Sequence, residues 1–351
     1  MTRPIRLPAG MTTPRKTPTG WDSSVTIPQD EDGFFGRECP AKDCLAYFKL
    51  HGDEYQAARK VGLLSCPICG VRQDDQTFLT PEQVKRTHAA MMELAHGAVE
   101  DAFATAFGGL SRSNRQGGVT IQYTPGPLRV PRPLPTYIER QTIRTFTCPN
   151  GGHRAVIYDL LTVCPYCGPD TPPRAVLDDN LAGMSRVLAV VEELPEEHRR
   201  EIEAAGGVTS LAERALSGAV AAAQNFAKQL HTQSGKPTTV RNPWQNVTRL
   251  QEQWQASFTT SPLAAWSAAD VRLLRLGFAR RHVLEHNGGV ADERYVSESG
   301  DTIAIGRRIR VRTPFVREFL AAVVRLADAM EAATPRLAAY DVSPSTGGEN
   351  R

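Results

Sequence analysis

No apolar run in the 351-residue sequence approaches the roughly 20 residues that a membrane-spanning helix needs, so no membrane segment is expected. The first twenty residues carry Pro4, Pro8, Pro14 and Pro18 in place of an apolar core, which argues against a secretory leader. No P-loop, GxGxxG or nucleophile-elbow motif occurs, and the chemistries tied to those motifs go with them. Net charge is small, +3, which fits a nucleic-acid partner without demanding one. Cysteine is scarce, and its seven copies fall mostly in paired knuckles. This is the pattern of metal ligands in a reducing compartment rather than of a disulfide frame. A soluble, cytoplasmic protein is the expectation. Hydrophobic residues make up 41%, enough for packed cores, so general disorder is excluded as well.

The length suggests two or three domains. Residues 1–33 are rich in Pro, Thr and basic charge and read as a disordered basic arm. A first cysteine module follows from Phe34 to about Thr80, with a short helix near Asp53 to Val61. Thr80, Pro81 and Gln83 then form a capping box that opens a helix running to about Phe107, and the module with its helix extends to residue 109. Residues 110–145, alternating Gly, Pro and Arg, read as a connector with short strand candidates (Val119 to Tyr123; Ile143 to Thr147). The second cysteine module spans residues 146–173. From 174 to 335 apolar residues recur at three- and four-residue steps, as in Val271, Leu274, Phe278 and in Phe319, Val323, Leu326, Met330, which predicts a helical domain. Helices are expected over 175–194, 195–205, 211–231, 244–258, 268–286 and 314–330. A hairpin-like pair is expected around Gly306 (302–311), and a flexible tail over 336–351.

Each cysteine module holds four zinc-type ligands. The first set is Cys39, four residues, Cys44, a 21-residue gap, then Cys66-Pro-Ile-Cys69-Gly70; the second is Cys148, four residues, His153, a 10-residue gap, then Cys164-Pro-Tyr-Cys167-Gly168. A C-x2-C turn aims two thiolates at one point, and Gly after the second cysteine permits the positive φ that closes it. Four protein ligands leave no open position, so both sites predict structural Zn2+ rather than catalysis at the metal. The modules resemble zinc ribbons. Neighbouring Phe34, Phe35, Arg37, Tyr47, Phe48, Lys49, Arg144, Phe146 and Arg154 leave two readings open: a surface that stacks bases and holds phosphates, or simply ribbon core.

The basic charge concentrates near the C-terminus, where nine arginines lie between Arg272 and Arg312. There Arg280-Arg281-His282-Val283-Leu284-Glu285-His286-Asn287-Gly288-Gly289 ends an amphipathic helix. A guanidinium can hold a phosphate in a bidentate fork, and an imidazole can give or take a proton at neutral pH. These groups suffice for metal-free RNA cleavage, with the ribose 2′-OH attacking the adjacent phosphorus. On a regular helix, however, Arg281 and His286 lie about 140° apart around the axis. They converge only at a distorted helix end, or with help from a second subunit.

At these residues the sequence resembles the HEPN superfamily, small helical domains in which Arg, four to six residues and His form a ribonuclease motif. Arg281 and His286 match it, and His282 stands where the family often has a polar residue. The continuation through Asp292-Glu293-Arg294-Tyr295 and Ile303-Ala304-Ile305-Gly306 to a final helix resembles HEPN proteins of bacterial defence. The resemblance covers about Trp244 to Met330. It implies a homodimer whose paired motifs line one cleft, and a metal-independent endoribonuclease, a toxin or anti-phage defence effector. Arg281 would bind the scissile phosphate and His286 would act as general acid–base, assisted by His282 and Asn287.

Competing readings use the same residues. A helix-end Arg/His pair can be purely structural, since cations suit a helix C-terminus. His282-Val-Leu-Glu285-His286 also spells an inverted zinc-protease motif, which would need a third ligand such as Glu318. The sequence therefore predicts a mainly α protein, two small zinc ribbons leading into a HEPN-like bundle. RNA is the expected partner, and the ribbons are open to a protein or nucleic-acid trigger. The alternative is a zinc-ribbon binding or regulatory protein whose helical domain only dimerises.

Overall fold

The computed structural model describes residues 7–58, 62–108, 130–137 and 144–334. The chain divides into two compact units, one comprising Met1–Leu64, Val71–Thr147 and His153–Tyr158, the other Ser65–Gly70, Cys148–Gly152 and Asp159–Arg351.

In the first unit the segment expected to be a disordered arm is ordered from residue 7. Strands β1 (Arg15–Thr17) and β2 (Gly20–Asp22) pair as an antiparallel hairpin, and Met11 bridges Val25 beyond it. Distant partners hold the segment down. The Arg86 guanidinium donates to the Thr26 carbonyl at 3.0 Å, and the fully buried Lys49 ammonium pairs with Asp30. Such partners outweigh a local composition that by itself favours disorder.

Strands β3 (Phe34–Glu38), β4 (Tyr47–His51), β7 (Thr145–Thr147) and β8 (Arg154–Ile157) form one antiparallel sheet in the order β3-β4-β8-β7. The hairpins of the two cysteine modules thus share a sheet rather than standing as separate ribbons. Strands of three to five residues are marginal as isolated hairpins, and joining them buries apolar surface that neither could cover alone. Phe34, Phe35, Phe48, Leu50 and Phe146 are buried, and so are Arg37 and Lys49. Phe34, Phe35, Phe48 and Phe146 are thus core, whereas Tyr47, Arg144 and Arg154 are partly exposed. Helix α1 (Gly52–Ala58) follows β4, and β5 (Leu63–Ser65) pairs with β6 (Arg72–Asp74). Helix α2 (Pro81–Gly108) opens with the expected capping box: the Gln83 amide N–H donates to Thr80 Oγ1 at 3.3 Å, while Gln83 Oε1 accepts from the Thr80 amide at 3.2 Å. Of the connector, residues 130–137 are described and form no regular element; the strand candidate at 119–123 lies outside the described residues, as does the tail beyond 334.

The second unit is helical: α3 (Pro173–Glu193), α4 (Glu196–Ala204), α5 (Gly207–Gln233), α6 (Val247–Phe258), α7 (Ala268–His286), α8 (Glu293–Ser299) and α9 (Thr313–Ala333). Its core is built by α3, α5, α7 and α9. Buried small residues on α5 (Ala212, Ala219, Ala223, Ala227) let its neighbours approach, and Val316, Phe319, Val323, Leu326 and Met330 give α9 an apolar stripe at helical spacing. The expected hairpin around Gly306 does not form. Its backbone pairs instead with the loop after α7 (Ala291 N–H to Arg307 O, Ile309 N–H to Gly289 O, both 2.9 Å), which frees Ile309 and Val311 to enter the helical core. The short helix α8 was not expected. Asp292 caps it by accepting from the Tyr295 amide.

Helix α7 meets α9 at Gly277, where a Cβ would fall 2.0 Å from Phe319 Cε2. Gly277→Ala must push these helices apart. Overpacking of this kind costs about 1–3 kcal/mol, so a lower urea midpoint at unchanged slope is expected, and an unchanged midpoint would refute this close contact.

Candidate functional site

The first four predicted thiols come together. Cys39 and Cys44 lie in the turn between β3 and β4, Cys66 and Cys69 in the knuckle after β5, and their Sγ atoms all lie within 4.8 Å of one another. The Ala41 and Ile68 amides point at Cys39 and Cys66 Sγ, each at 3.4 Å, as suits sulfur carrying negative charge. Gly70 and Gly168 take φ of 76° and 57° and donate back to the first cysteine of their knuckles, the turn that the sequence predicts. A tetrahedral ion with bonds of about 2.3 Å to sulfur sets sulfurs about 3.8 Å apart, so the donor set fits a metal of the zinc type.

The second group holds three thiols, Cys148, Cys164 and Cys167, again within 4.8 Å. Cys148 and Cys167 sulfurs are 3.6 Å apart. Burial pushes the Cys167 thiol up to about 11, with Cys148 adding to the shift, and burial raises the Cys164 thiol further. Such crowded thiols ionise together only when a cation compensates them. His153, the expected fourth ligand, stands immediately before β8.

In the helical unit, Arg281, His282 and His286 all line one cleft of about 410 Å³, with Arg249 from α6, Arg275 from α7 and Arg294 from α8. Arg281 and His286 both line this cleft although they stand about 140° apart around the helix axis. The His282 and His286 rings lie one helical turn apart with centroids at 4.8 Å. Arg281 pairs with Glu285 at 2.5 Å, and its Nε is buried without a hydrogen-bond partner. Burial holds the His282 imidazole below its usual 6.5. Arg294, His286 and Arg281 push the same way against an opposing pull from Glu298, so the ring is neutral at pH 7.

Asn287 falls outside this cleft. Its side-chain nitrogen donates to the Val290 carbonyl at 2.7 Å and its backbone caps α7, so it shapes the turn after the helix. Among the described residues His282, His286 and Glu318 form no metal-capable group, which leaves the protease reading without its third ligand. Sequence reasoning missed Arg249 and gave Arg275 and Arg294 no site role beyond the arginine-rich stretch that holds them. Each is an ordinary basic residue on its own helix, and only the packing of α6, α7 and α8 assembles them. No described helix is long and apolar enough to cross a membrane. Comparison with models of known protein families, with curated proteins and with solved structures finds no match.

Proposed function

We propose that the helical unit is a metal-independent endoribonuclease of HEPN type, acting as a toxin or anti-phage defence effector. The observation that carries this reading is the joint opening of Arg281, His282 and His286 onto a single cleft rich in guanidinium groups. RNA enters as a polyanion whose phosphates are held by Arg249, Arg275 and Arg294. Arg281 binds the scissile phosphate and stabilises charge on the phosphorane oxygens. The 2′-OH attacks phosphorus as its proton is removed, and the 5′-oxygen leaves as a proton is delivered to it. Two imidazoles one turn apart supply both transfers, with His286 as the principal acid–base. A homodimer would bring two such clefts together. The cysteine groups would hold two structural Zn2+ ions, the second completed by His153, and would recognise RNA, a trigger or a partner.

This reading requires cleavage to persist in EDTA over minutes. Rapid loss of activity on chelation would remove it in favour of the zinc-module binding protein. It also assigns Glu285 a restraining role, because its carboxylate competes with phosphate for Arg281. Glu285→Gln is expected to tighten RNA binding by up to about fivefold, since RNA no longer has to displace a partly exposed ion pair worth about 0.2–1 kcal/mol. Weaker binding in this variant would show that Glu285 positions Arg281 instead.

A further inference from the structure

We propose that the buried Arg37 guanidinium and the cavity beside it form a binding site for a small organic anion, one with a carboxylate or phosphate head and a polar tail. The site lies wholly in the first unit and is independent of the ribonuclease reading. Arg37 sits on β3 and is 2% exposed. Its guanidinium lies over the Phe35 ring at 4.5 Å and the Tyr55 ring at 5.1 Å. Nη1 donates to two neutral acceptors, the Gly36 carbonyl at 3.1 Å and Gln83 Oε1 at 3.0 Å, the guanidinium also meets the Tyr55 hydroxyl, and Nε has no partner. The nearby Asp75 carboxylate is already engaged by the Tyr55 hydroxyl and by the Gln76 amide at 3.2 Å. A charge withdrawn from water and given neutral partners is stable only when an opposite charge or several strong hydrogen bonds compensate it.

The space next to Arg37 is suited to supplying that charge. Arg37, Phe35 and Tyr55 line a cavity of about 430 Å³ in which Arg37 is the only formally charged residue among the described ones. The remaining polar lining is hydroxyl and amide, among it Ser23, Ser24, Thr26, Gln29, Gln56 and Thr87. A bare inorganic ion would leave most of this volume empty. A sugar-sized polar tail would meet donors and acceptors along the wall, while a second basic group on the ligand would find no acid there. The segment 23–29, returning from the β1–β2 hairpin, forms one wall, so ligand binding and the ordering of that segment are coupled.

The test is isothermal titration of the full chain carrying Arg281→Ala, which removes the scissile-phosphate ligand of the other cleft. Ribose 5-phosphate, inorganic phosphate and acetate are compared at constant ionic strength against chloride. One saturable event per chain is expected, strongest with ribose 5-phosphate if the head is phosphate, and with acetate exceeding phosphate if it is carboxylate. Adding Arg37→Met should weaken binding at least tenfold. Gln56→Glu keeps Arg37 but sets a carboxylate in the cavity and should abolish binding with the far-ultraviolet spectrum intact, which decides the matter should the Met variant not fold. Absence of saturable binding by all three anions, or equal binding after either substitution, overturns the proposal.

Discussion

Arg281→Ala and His286→Ala are each expected to slow RNA cleavage by about 10²–10⁴-fold, the range measured when a charge-stabilising donor or a general acid–base is removed. Their melting behaviour should stay close to that of the parent chain, because His286 is exposed and the Arg281 guanidinium is held by a single ion pair to Glu285. Asn287→Ala should leave the rate within severalfold, because its amide is spent on the Val290 carbonyl. The pH dependence follows from His282. Its folded pKa is depressed, by burial first and then by Arg294, His286 and Arg281. The folded state therefore disfavours the protonated ring, and stability tied to this group is present above about 6.5 and is lost as pH falls through the lower folded value. Activity that needs the neutral imidazole should fall over the same acid window, and His282→Asn should remove that limb from the profile. If both alanine variants keep full activity, the cleft is not the reaction centre, whatever its charge.

The second large effect is loss of metal. Apparent binding energies for structural zinc are about 10–16 kcal/mol at neutral pH, as large as the whole stability of a domain, about 5–15 kcal/mol. Elemental analysis should return two zinc ions per chain, and a strong chelator applied overnight should collapse the sheet that carries β3, β4, β7 and β8. Cys66→Ser removes a buried ligand from the four-thiol group and should lose one ion. Cys164→Ser should lose the other. His153→Ala separates two outcomes at the second group: loss of zinc there means that the imidazole is the fourth ligand, and retention means that another group completes the sphere. A metal content of zero in protein prepared without chelator would contradict the reading of both groups.

Local chemistry was legible in the sequence wherever the partners are neighbours in the chain. The Thr80–Gln83 box, the α7 boundaries, the Gly70 and Gly168 turns and the ligand sets Cys39/Cys44/Cys66/Cys69 and Cys148/Cys164/Cys167 all follow from spacing and conformational preference. What was not legible depends on distant partners. Pairing of β4 with β8 joins residues about a hundred positions apart, and neither strand is long enough to advertise itself. The 7–33 segment looked disordered because its anchors, Arg86 and Lys49, lie far along the chain. Residues 302–311 carried a strand-like alternation, yet the loop at 289–291 took their hydrogen bonds. Asn287 entered through the resemblance to HEPN proteins, and spacing gave no sign that its side chain binds the Val290 carbonyl. The arginines of the cleft come from three helices, and no single-helix pattern distinguishes them from solvated surface charge.

The ends of the RNA products test the account most directly. A cleft that works through two imidazoles and a guanidinium, with no metal at the phosphate, must leave a 2′,3′-cyclic phosphate on one fragment and a 5′-hydroxyl on the other. Mass spectrometry of a short defined RNA digested in EDTA should show these two ends with wild-type protein and neither with Arg281→Ala. Fragments ending in 3′-hydroxyl and 5′-phosphate would mean that water, not the ribose 2′-OH, attacked phosphorus, and would contradict the proposed mechanism.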